Sequence, residues 1–204
     1  MGASAAGLRN AAVLLPAAGA STRMRGRDKL LEPVAGRPLL RRQAERALAT
    51  GAAVAVTLRP EDHARRAALD GLSVAVLAVP DAALGMSASL RRGARWASDR
   101  GAVALVVVLP DMPEITSADI RTVFQAWARV SELSLRATTA SGIPGHPVVI
   151  PNAVFPALAN LAGDRGASSL LRNARHCPLA GVRAITDLDS PEDWDAWRAR
   201  PDPP

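Results

Sequence analysis

The stretch AAVLLPAAGASTRM, residues 11–24, is the starting point for interpreting the whole chain. Its first five residues are apolar and predict a buried β-strand. A loop of small residues follows directly and runs to Arg23. Small residues let the backbone approach a ligand, and free N–H groups in such a turn can hold phosphate oxygens. A plain turn between a strand and a helix is the alternative, since glycine-containing turns of this kind are common.

Lys29 follows the same loop and is the only lysine among 25 basic residues. The chain is rich in arginine and alanine and has no tyrosine, which indicates a coding bias. A lysine retained against that bias suggests a site where a compact ammonium differs from a guanidinium, with chance survival as the alternative. The loop lacks both the Gly-Lys-Ser/Thr ending of a P-loop and the three-glycine dinucleotide fingerprint.

Apolar runs and amphipathic stretches alternate outward from this loop. The predicted strands are 11–15, 53–58, 73–79, 103–109, 133–139, 147–150 and 182–185, and the predicted helices are 38–50, 60–70, 86–98, 117–130 (capped by Ser117), 152–161, 167–174 and 191–200. This order predicts an α/β fold with a mainly parallel sheet covered by helices on both faces. Ligands of such sheets bind beyond the carboxyl ends of the strands, so the segments after Leu15, Leu109 and Ile185 become candidate sites. We expect one domain over residues 1–204, with 1–10 and 201–204 as flexible tails.

The composition excludes several classes of protein. With 49% hydrophobic and 22% charged residues the chain is expected to fold into a globular domain. The net charge of +6 would suit a nucleic-acid partner, but the basic residues are scattered and aromatic residues reach only 3%, so no nucleic acid is expected. No apolar stretch is long enough for a membrane span, and no signal peptide is evident. A single cysteine, Cys177, fits a reducing cytoplasm.

Two acidic segments follow later in the chain. In LPDMP, residues 109–113, Asp111 stands just past the most apolar predicted strand, where a carboxylate can hold Mg²⁺ between triphosphate oxygens. A turn-capping aspartate is the alternative. In DLDSPEDW, residues 187–194, Ser190 and Pro191 predict a helix start, while Asp187 and Asp189 precede the cap and are not needed for it. Two positions apart in an extended segment, they point the same way, so one could join Asp111 on a metal ion.

Three further glycine-bearing turns precede predicted elements: GMSASL at 85–90, GIPGHPV at 142–148 and LAGDRGA at 161–167. Each alone is more typical of a loop than of a site. His146 is a candidate general base, although positioning a substrate or capping the strand suits it better.

Taken in order, these six segments resemble the motifs of the molybdenum cofactor cytidylyltransferases, a family of nucleotidyltransferases. The family motifs are Leu-Ala-Ala-Gly-x-Ser-x-Arg-Met-Gly followed by Lys, then Gly-Ala-Ser-Leu, Leu-Gly-Asp-Met-Pro, Gly-His-Pro-Val, Gly-Asp-x-Gly-Ala and Asp-Ile-Asp-Thr-Pro-Glu-Asp. Their counterparts extend from Leu15 to Trp194, nearly the whole chain. The resemblance implies a three-layer α/β/α sandwich with a mainly parallel, Rossmann-like sheet of the nucleotide-diphospho-sugar transferase type.

The resemblance also implies a role for each matching residue. Arg23, Lys29 and Asp111 would be catalytic, and Asp111 and Asp189 would hold Mg²⁺. The nucleotide would contact Pro16, Ala17, Ala18, Gly19, Ala20, Ser21, Arg23, Lys29 and Ser87. The acceptor would contact Ser89, His146 and Asp164.

Three departures from the family pattern stand out. Pro16 replaces an alanine, Pro110 replaces a glycine and removes one N–H before Asp111, and Arg25 is inserted, so that Arg23 and Lys29 are six positions apart rather than five. The insertion affects the register of the loop on the phosphates.

The resemblance implies transfer of CMP from CTP to molybdopterin, with release of pyrophosphate. Relatives that use CTP tend to carry Ala-Ala-Gly in the opening loop, and relatives that use GTP tend to carry Ala-Gly-Gly. The methyl group of Ala18 would narrow a base pocket, which favours the smaller cytosine. A sugar or polyol phosphate as acceptor, GTP as donor, and a non-catalytic nucleotide-binding protein are the alternatives. A monomer or small homo-oligomer is expected.

Overall fold

A computed structural model describes residues 8–161 and 168–200 of the chain, without the side chains of Ser168 and Ser169. Within those residues the strands are Ala12–Pro16 (β1), Pro33–Val34 (β2), Arg37–Pro38 (β3), Ala53–Leu58 (β4), Ala75–Ala78 (β5), Ala104–Val107 (β6), Leu135–Thr138 (β7), Pro144–Pro151 (β8) and Arg175–Pro178 (β9). The α-helices are Leu39–Leu48 (α1), His63–Ala68 (α2), Met86–Asp99 (α3), Ser117–Ala128 (α4), Phe155–Ala159 (α5) and Pro191–Arg198 (α6).

Seven of these strands form one sheet in the order β5-β4-β1-β6-β8-β7-β9, and β2 and β3 form a separate hairpin. Strand β8 is antiparallel to both its neighbours, and every other pair in the main sheet is parallel. The predicted mainly parallel sheet is therefore confirmed, with one reversed strand near the middle.

Strand β1 shows how the sheet is buried on both faces. Val13 and Leu15 pack on one side with residues of α1 and α4, whereas Ala12 and Leu14 pack on the other side with α3 and α5. This alternation follows from the two-residue period of a strand, and an apolar residue at every position is what a doubly covered strand requires. The predicted three-layer α/β/α sandwich is confirmed.

The parallel strands also explain where the site lies. β1 ends at Pro16, β4 at Leu58 and β6 at Val107, and all three run in the same direction. Their following loops therefore meet at one edge of the sheet.

One strand prediction is wrong. Residues 182–185 were expected to form the last strand, but Arg183–Ile185 is a turn of 3₁₀ helix, and the last strand is β9 at Arg175–Pro178. β9 lies at the sheet edge and is mostly exposed, so its sequence RHCP carries no apolar alternation. Backbone pairing with β7, rather than a hydrophobic face, makes it a strand.

Smaller corrections concern element ends. Thr116 rather than Ser117 caps α4, because its hydroxyl and the Asp119 carboxylate form a capping box. The predicted helix 152–161 is a 3₁₀ turn, Asn152–Val154, followed by α5, and the predicted helix 167–174 is a 3₁₀ turn over Ser168–Leu171, with Ala167 outside the described residues.

The expected tail 1–10 is only partly within the described residues, as 1–7 lie outside them. Leu8–Asn10 form a 3₁₀ turn with Leu8 buried in the core, so these three residues are not a free tail. The expected tail 201–204 lies outside the described residues. No helix within 8–161 and 168–200 is long and apolar enough to cross a membrane.

Candidate active site

Lys29 lies between two carboxylates that are far from it in sequence. Its ammonium donates to Oδ2 of Asp111 and to Oδ1 of Asp189, the latter at 2.6 Å. The side chains of Lys29, Asp111 and Asp189 are only 15%, 15% and 19% exposed. Three segments that the sequence singled out separately therefore converge on one point.

Packing and backbone pairing bring the two acidic segments together. The N–H of Leu188 donates to the carbonyl of Asp111 at 3.1 Å. Leu188 and Trp194 are also buried against Met24 of the opening loop, which seats α6 beneath that loop. These contacts within the protein are sufficient to place Asp189 beside Asp111.

The two neighbouring carboxylates determine the charge state of Lys29. Burial acts to lower the pKa of Lys29, but the adjacent Asp111 and Asp189 outweigh it and raise the pKa above its usual value. Lys29 is therefore an ammonium at neutral pH. Burial and the negative charges of Asp111 and Asp189 raise the pKa of Asp187, which forms no hydrogen bond with Lys29 in the described structure.

Arg23 completes the charged group from the exposed side. Its guanidinium lies 2.5 Å from Oδ2 of Asp189, and its side chain is 71% exposed. Arg23 is thus free to reorient toward a ligand while Lys29 is held within the cluster. The inserted Arg25 lies outside the cluster, pairing with Glu192 at the surface.

The opening loop is held by an arginine that the sequence did not indicate. Arg65, on α2, is 4% exposed and donates to the carbonyls of Ala17 and Gly19 at 2.6 and 2.7 Å. It also forms a two-point contact with the carboxylate of Asp28, at 2.6 and 2.9 Å, and reaches the hydroxyl of Ser21 at 3.1 Å. One buried side chain therefore fastens both ends of the loop.

A cleft of about 310 Å³ lies between this loop and the start of α3. The residues predicted for the site that line it are Pro16, Ala18, Gly19, Ala20, Lys29, Ser89 and Asp111. Arg59 lines it as well and donates to the carbonyl of Ala18 at 2.9 Å. Arg59 follows β4 directly, so the rule that ligands bind beyond strand ends could have indicated it.

Other predicted residues lie close to the cleft without lining it. Ala17 is buried and donates its N–H to the carbonyl of Thr57. Ser21 is engaged with Asp28 and Arg65. Ser87 is fully buried and donates to the carbonyl of Leu84, in the 3₁₀ turn that precedes α3.

A second, smaller pocket of about 190 Å³ adjoins the cleft and shares Met86 with it. Its walls are mainly aliphatic, and its polar side chains are Arg136 and His146. The Nδ1 atom of His146 is buried and has no hydrogen-bond partner among the described residues. Burial, together with the positive charge of Arg136, lowers the pKa of His146 to about 4, so the ring is neutral at pH 7. Asp164, predicted for the acceptor, lies outside the described residues.

The carboxylate oxygens of Asp111 and Asp189 are suitable ligands for a divalent cation. Oδ1 of Asp111 is buried and has no hydrogen-bond partner among the described residues, which leaves one carboxylate oxygen as an unused acceptor. Mg²⁺ prefers oxygen ligands and usually takes one or two carboxylates plus substrate phosphates. No group of three or more acidic, histidine or cysteine side chains that could hold a metal occurs in the described part of the chain, so Asp111 and Asp189 would need oxygens from elsewhere to complete a coordination shell.

The three-layer sandwich with its mostly parallel seven-stranded sheet matches the nucleotide-diphospho-sugar transferase fold. The chain belongs to the family described as the MobA-like NTP transferase domain, whose model matches residues 12–181.

Individual relatives are similar at low identity over nearly their full lengths. Purine catabolism protein PucB of Bacillus subtilis (strain 168) is 26% identical over 198 residues, which cover 89% of this chain and 93% of PucB. The solved Rv0371c homologue from Mycobacterium sp. strain JC1 is 26% identical with a TM-score of 0.80, covering 92% of this chain and 94% of its own. Rv0371c of Mycobacterium tuberculosis H37Rv, solved in complex with manganese, is 26% identical with a TM-score of 0.74, covering 92% and 97%.

Proposed function

We propose that this protein transfers CMP from CTP, with Mg²⁺, to a phosphorylated acceptor, molybdopterin, and releases pyrophosphate. The observation that carries the proposal is the convergence of Lys29, Asp111 and Asp189 at the cleft beside the opening loop. Membership of the MobA-like NTP transferase family supports the reaction class.

The chemistry requires alignment and charge neutralisation more than proton transfer. An oxygen of the acceptor phosphate attacks the α-phosphorus of CTP and forms a new P–O bond, while the bond from the α-phosphorus to the β-phosphate oxygen breaks. Lys29 and Arg23 would neutralise the negative charge that develops on the phosphates. A magnesium ion held by Asp111 and Asp189 would supply further charge neutralisation on those oxygens. The acceptor phosphate is already an anion, so no general base is needed.

The cleft offers the other features that a triphosphate requires. Gly19 and Ala20 line it with backbone and small side chains, and Arg59 adds a cation to its wall. The first turn of α3, a helix of 14 residues, opens onto the same space through Gly85 and Met86. Helix N-termini favour anions because their unpaired N–H groups and the helix dipole carry positive charge.

Ala18 supports CTP over GTP. It lines the cleft and is only 4% exposed, so its methyl group takes space that a glycine at this position would leave free. The reduced space favours cytosine, which is smaller than guanine.

The adjoining pocket is where we place the acceptor. Ser89 lies on the cleft side, and His146 and Arg136 lie in the pocket next to it. A neutral imidazole can donate or accept one hydrogen bond, and Arg136 can bind an anionic or carbonyl oxygen. Asp164 keeps the acceptor role that the resemblance implies for it.

A matrix of substrates tests the proposal. Each of four nucleoside triphosphates is combined with molybdopterin, a sugar phosphate or a polyol phosphate in the presence of Mg²⁺, and pyrophosphate release is measured. CTP with molybdopterin should give the highest rate, and Asp111→Asn should lose it. A higher rate with GTP would overturn the donor assignment, and a higher rate with a sugar or polyol phosphate would overturn the acceptor. No pyrophosphate with any pair would indicate a non-catalytic nucleotide-binding protein.

A further inference from the structure

We propose that Lys29 takes the place of the divalent cation in the nucleotide-free protein, so that the metal binds Asp111 and Asp189 only when a triphosphate draws the lysine away. The inference rests on the proposed function, because it concerns how the same site assembles. The ammonium bridges the two carboxylates that would hold the metal. A metal ion and the Lys29 ammonium therefore compete for the same oxygens.

The charge at the site gives the first reason for this competition. Asp111 and Asp189 carry two negative charges, and Lys29 and Arg23 balance them at close range. Adding a divalent cation while the ammonium stays between Asp111 and Asp189 brings positive charges together among largely buried side chains, which is costly where water screens little. A triphosphate brings several negative charges and reverses that cost.

The number of metal ligands gives the second reason. Two carboxylates supply too few oxygens for Mg²⁺, which prefers six in near-octahedral order, and no third acidic side chain of the described residues joins them. Oδ1 of Asp111, which has no hydrogen-bond partner among the described residues, is an unused acceptor on the carboxylate that Lys29 contacts. The phosphates of a nucleotide would both complete the shell and offer Lys29 a new partner.

The loop is built to let the ammonium move while its backbone stays in place. The residue before Lys29 is Asp28, whose carboxylate is held by Arg65 and accepts from the N–H of Leu30 at 3.0 Å. The peptide on each side of Lys29 is thereby fastened. The four-carbon stem of lysine still rotates, and an ammonium exchanges partners readily because it is a point charge with three donors.

The test is Mn²⁺ binding without nucleotide, measured on the full chain by the loss of the free-ion signal in electron paramagnetic resonance. Lys29→Met removes the bridging charge and should bind Mn²⁺ at least about tenfold more tightly than the wild type, because a competing cation has been removed. Lys29→Arg keeps the charge and should stay close to the wild type. Adding Asp111→Asn to Lys29→Met should abolish the gain.

Arg25→Gln is the matched control, since it removes one nearby positive charge whose ion-pair partner among the described residues is the surface Glu192. It should leave Mn²⁺ affinity unchanged. Equal affinities in the wild type and Lys29→Met, or an equal gain in Arg25→Gln, would overturn the proposal. Lys29→Gln, which retains hydrogen-bond donors without charge, replaces Lys29→Met if the latter does not fold. Because no nucleotide is present, the result stands apart from whether CTP is the donor in catalysis.

Discussion

At the scale of single residues, Lys29 is where charge, burial and position coincide. Lys29→Ala should lower turnover by a factor of about 100 or more, by analogy with other donors that stabilise developing charge. The measurement is the steady-state rate of pyrophosphate release with CTP and acceptor. Arg25→Gln, the exposed cation next to the same loop, should keep its rate. Near-normal turnover in Lys29→Ala would remove this residue from the mechanism.

Arg65 supports the loop that carries Lys29. Arg65→Ala should lower the free energy of unfolding by about 3 kcal/mol, because it leaves Asp28 and two loop carbonyls without their buried partner. Arg65→Lys should recover little of this, since an ammonium cannot reproduce the two-point contact of a guanidinium.

Urea unfolding measures both Arg65 variants. The control is Arg66→Ala, which changes the exposed neighbour on the same helix and should stay within about 0.5 kcal/mol of the wild type. Full stability in Arg65→Lys would show that only the charge of Arg65 matters. In the folded Arg65 variants, a higher KM for CTP is also expected, because the cradle is no longer held.

His146 makes stability depend on pH. An unfolded chain binds a proton at this residue near pH 6.5, whereas burial lowers the pKa in the folded protein to about 4. Between these values the unfolded state binds more protons, so stability falls as the pH falls, by up to about 3 kcal/mol at pH 4, and is unaffected above pH 6.5.

Unfolding free energies at pH 7, 5.5 and 4.5 test the role of His146. His146→Gln should show a smaller loss between pH 7 and 4.5 than the wild type. His63→Gln removes an exposed histidine on α2 and should lose as much as the wild type. Parallel pH profiles for the wild type and His146→Gln would contradict the prediction.

At the scale of elements, one close contact joins β8 to the segment that delivers Asp189. A Cβ atom added at Gly145 would lie 1.8 Å from the carbonyl oxygen of Ala184 and 2.6 Å from its carbon. Both are backbone atoms of the 3₁₀ turn at 183–185, which leads directly into Asp187 and Asp189. The position therefore requires glycine for a close backbone approach.

Gly145→Ala should cost about 1–3 kcal/mol of stability through overpacking. It should also reduce activity more than an equal loss of stability elsewhere, because the displaced turn carries Asp189 away from Lys29. Denaturant unfolding and pyrophosphate release are measured on the same preparation. Gly19→Ala serves as the stability control, since an added Cβ there meets nothing within 4 Å. Gly145→Ala with wild-type stability would disprove the close contact.

At the scale of the whole molecule, the cleft joins three parts of the chain that are distant in sequence. The opening loop, the segment after β6 and the segment before α6 meet only when the sheet and α6 are packed. A ligand that binds there stabilises the entire domain, by about 2.7 kcal/mol at a concentration 100 times its Kd.

Thermal unfolding shows whether binding at the cleft is coupled to the fold. CTP and Mg²⁺ together should raise Tm by several degrees, since about 1 kcal/mol corresponds to roughly 2–4 °C in a chain of this size. Mg²⁺ alone should leave Tm nearly unchanged, and Asp111→Asn should lose most of the shift. A full shift with Mg²⁺ alone would contradict the expected dependence on the nucleotide.

Local sequence patterns were sufficient to predict strands that are buried on both faces and motifs that follow one another along the chain. The apolar strands β1, β4 and β6 were predicted because both faces of each are covered, and the residues around Lys29, Asp111 and Asp189 because they follow strands or precede a helix cap. β9 was missed because an exposed edge strand needs no hydrophobic pattern. Arg65 was missed because nothing in the sequence RR at 65–66 tells which arginine faces the core.

The amino-acid order by itself determined the α/β class, the mainly parallel sheet and the segments that carry chemistry, since strand period, helix caps and small-residue loops are encoded over a few neighbouring positions. Only the tertiary structure decided that Lys29 bridges two carboxylates 82 and 160 residues away, that Asp189 rather than Asp187 reaches it, and that Arg65 holds the loop. These contacts depend on which faces pack against each other and on how desolvated charges find partners, and both arise only when distant segments fold together.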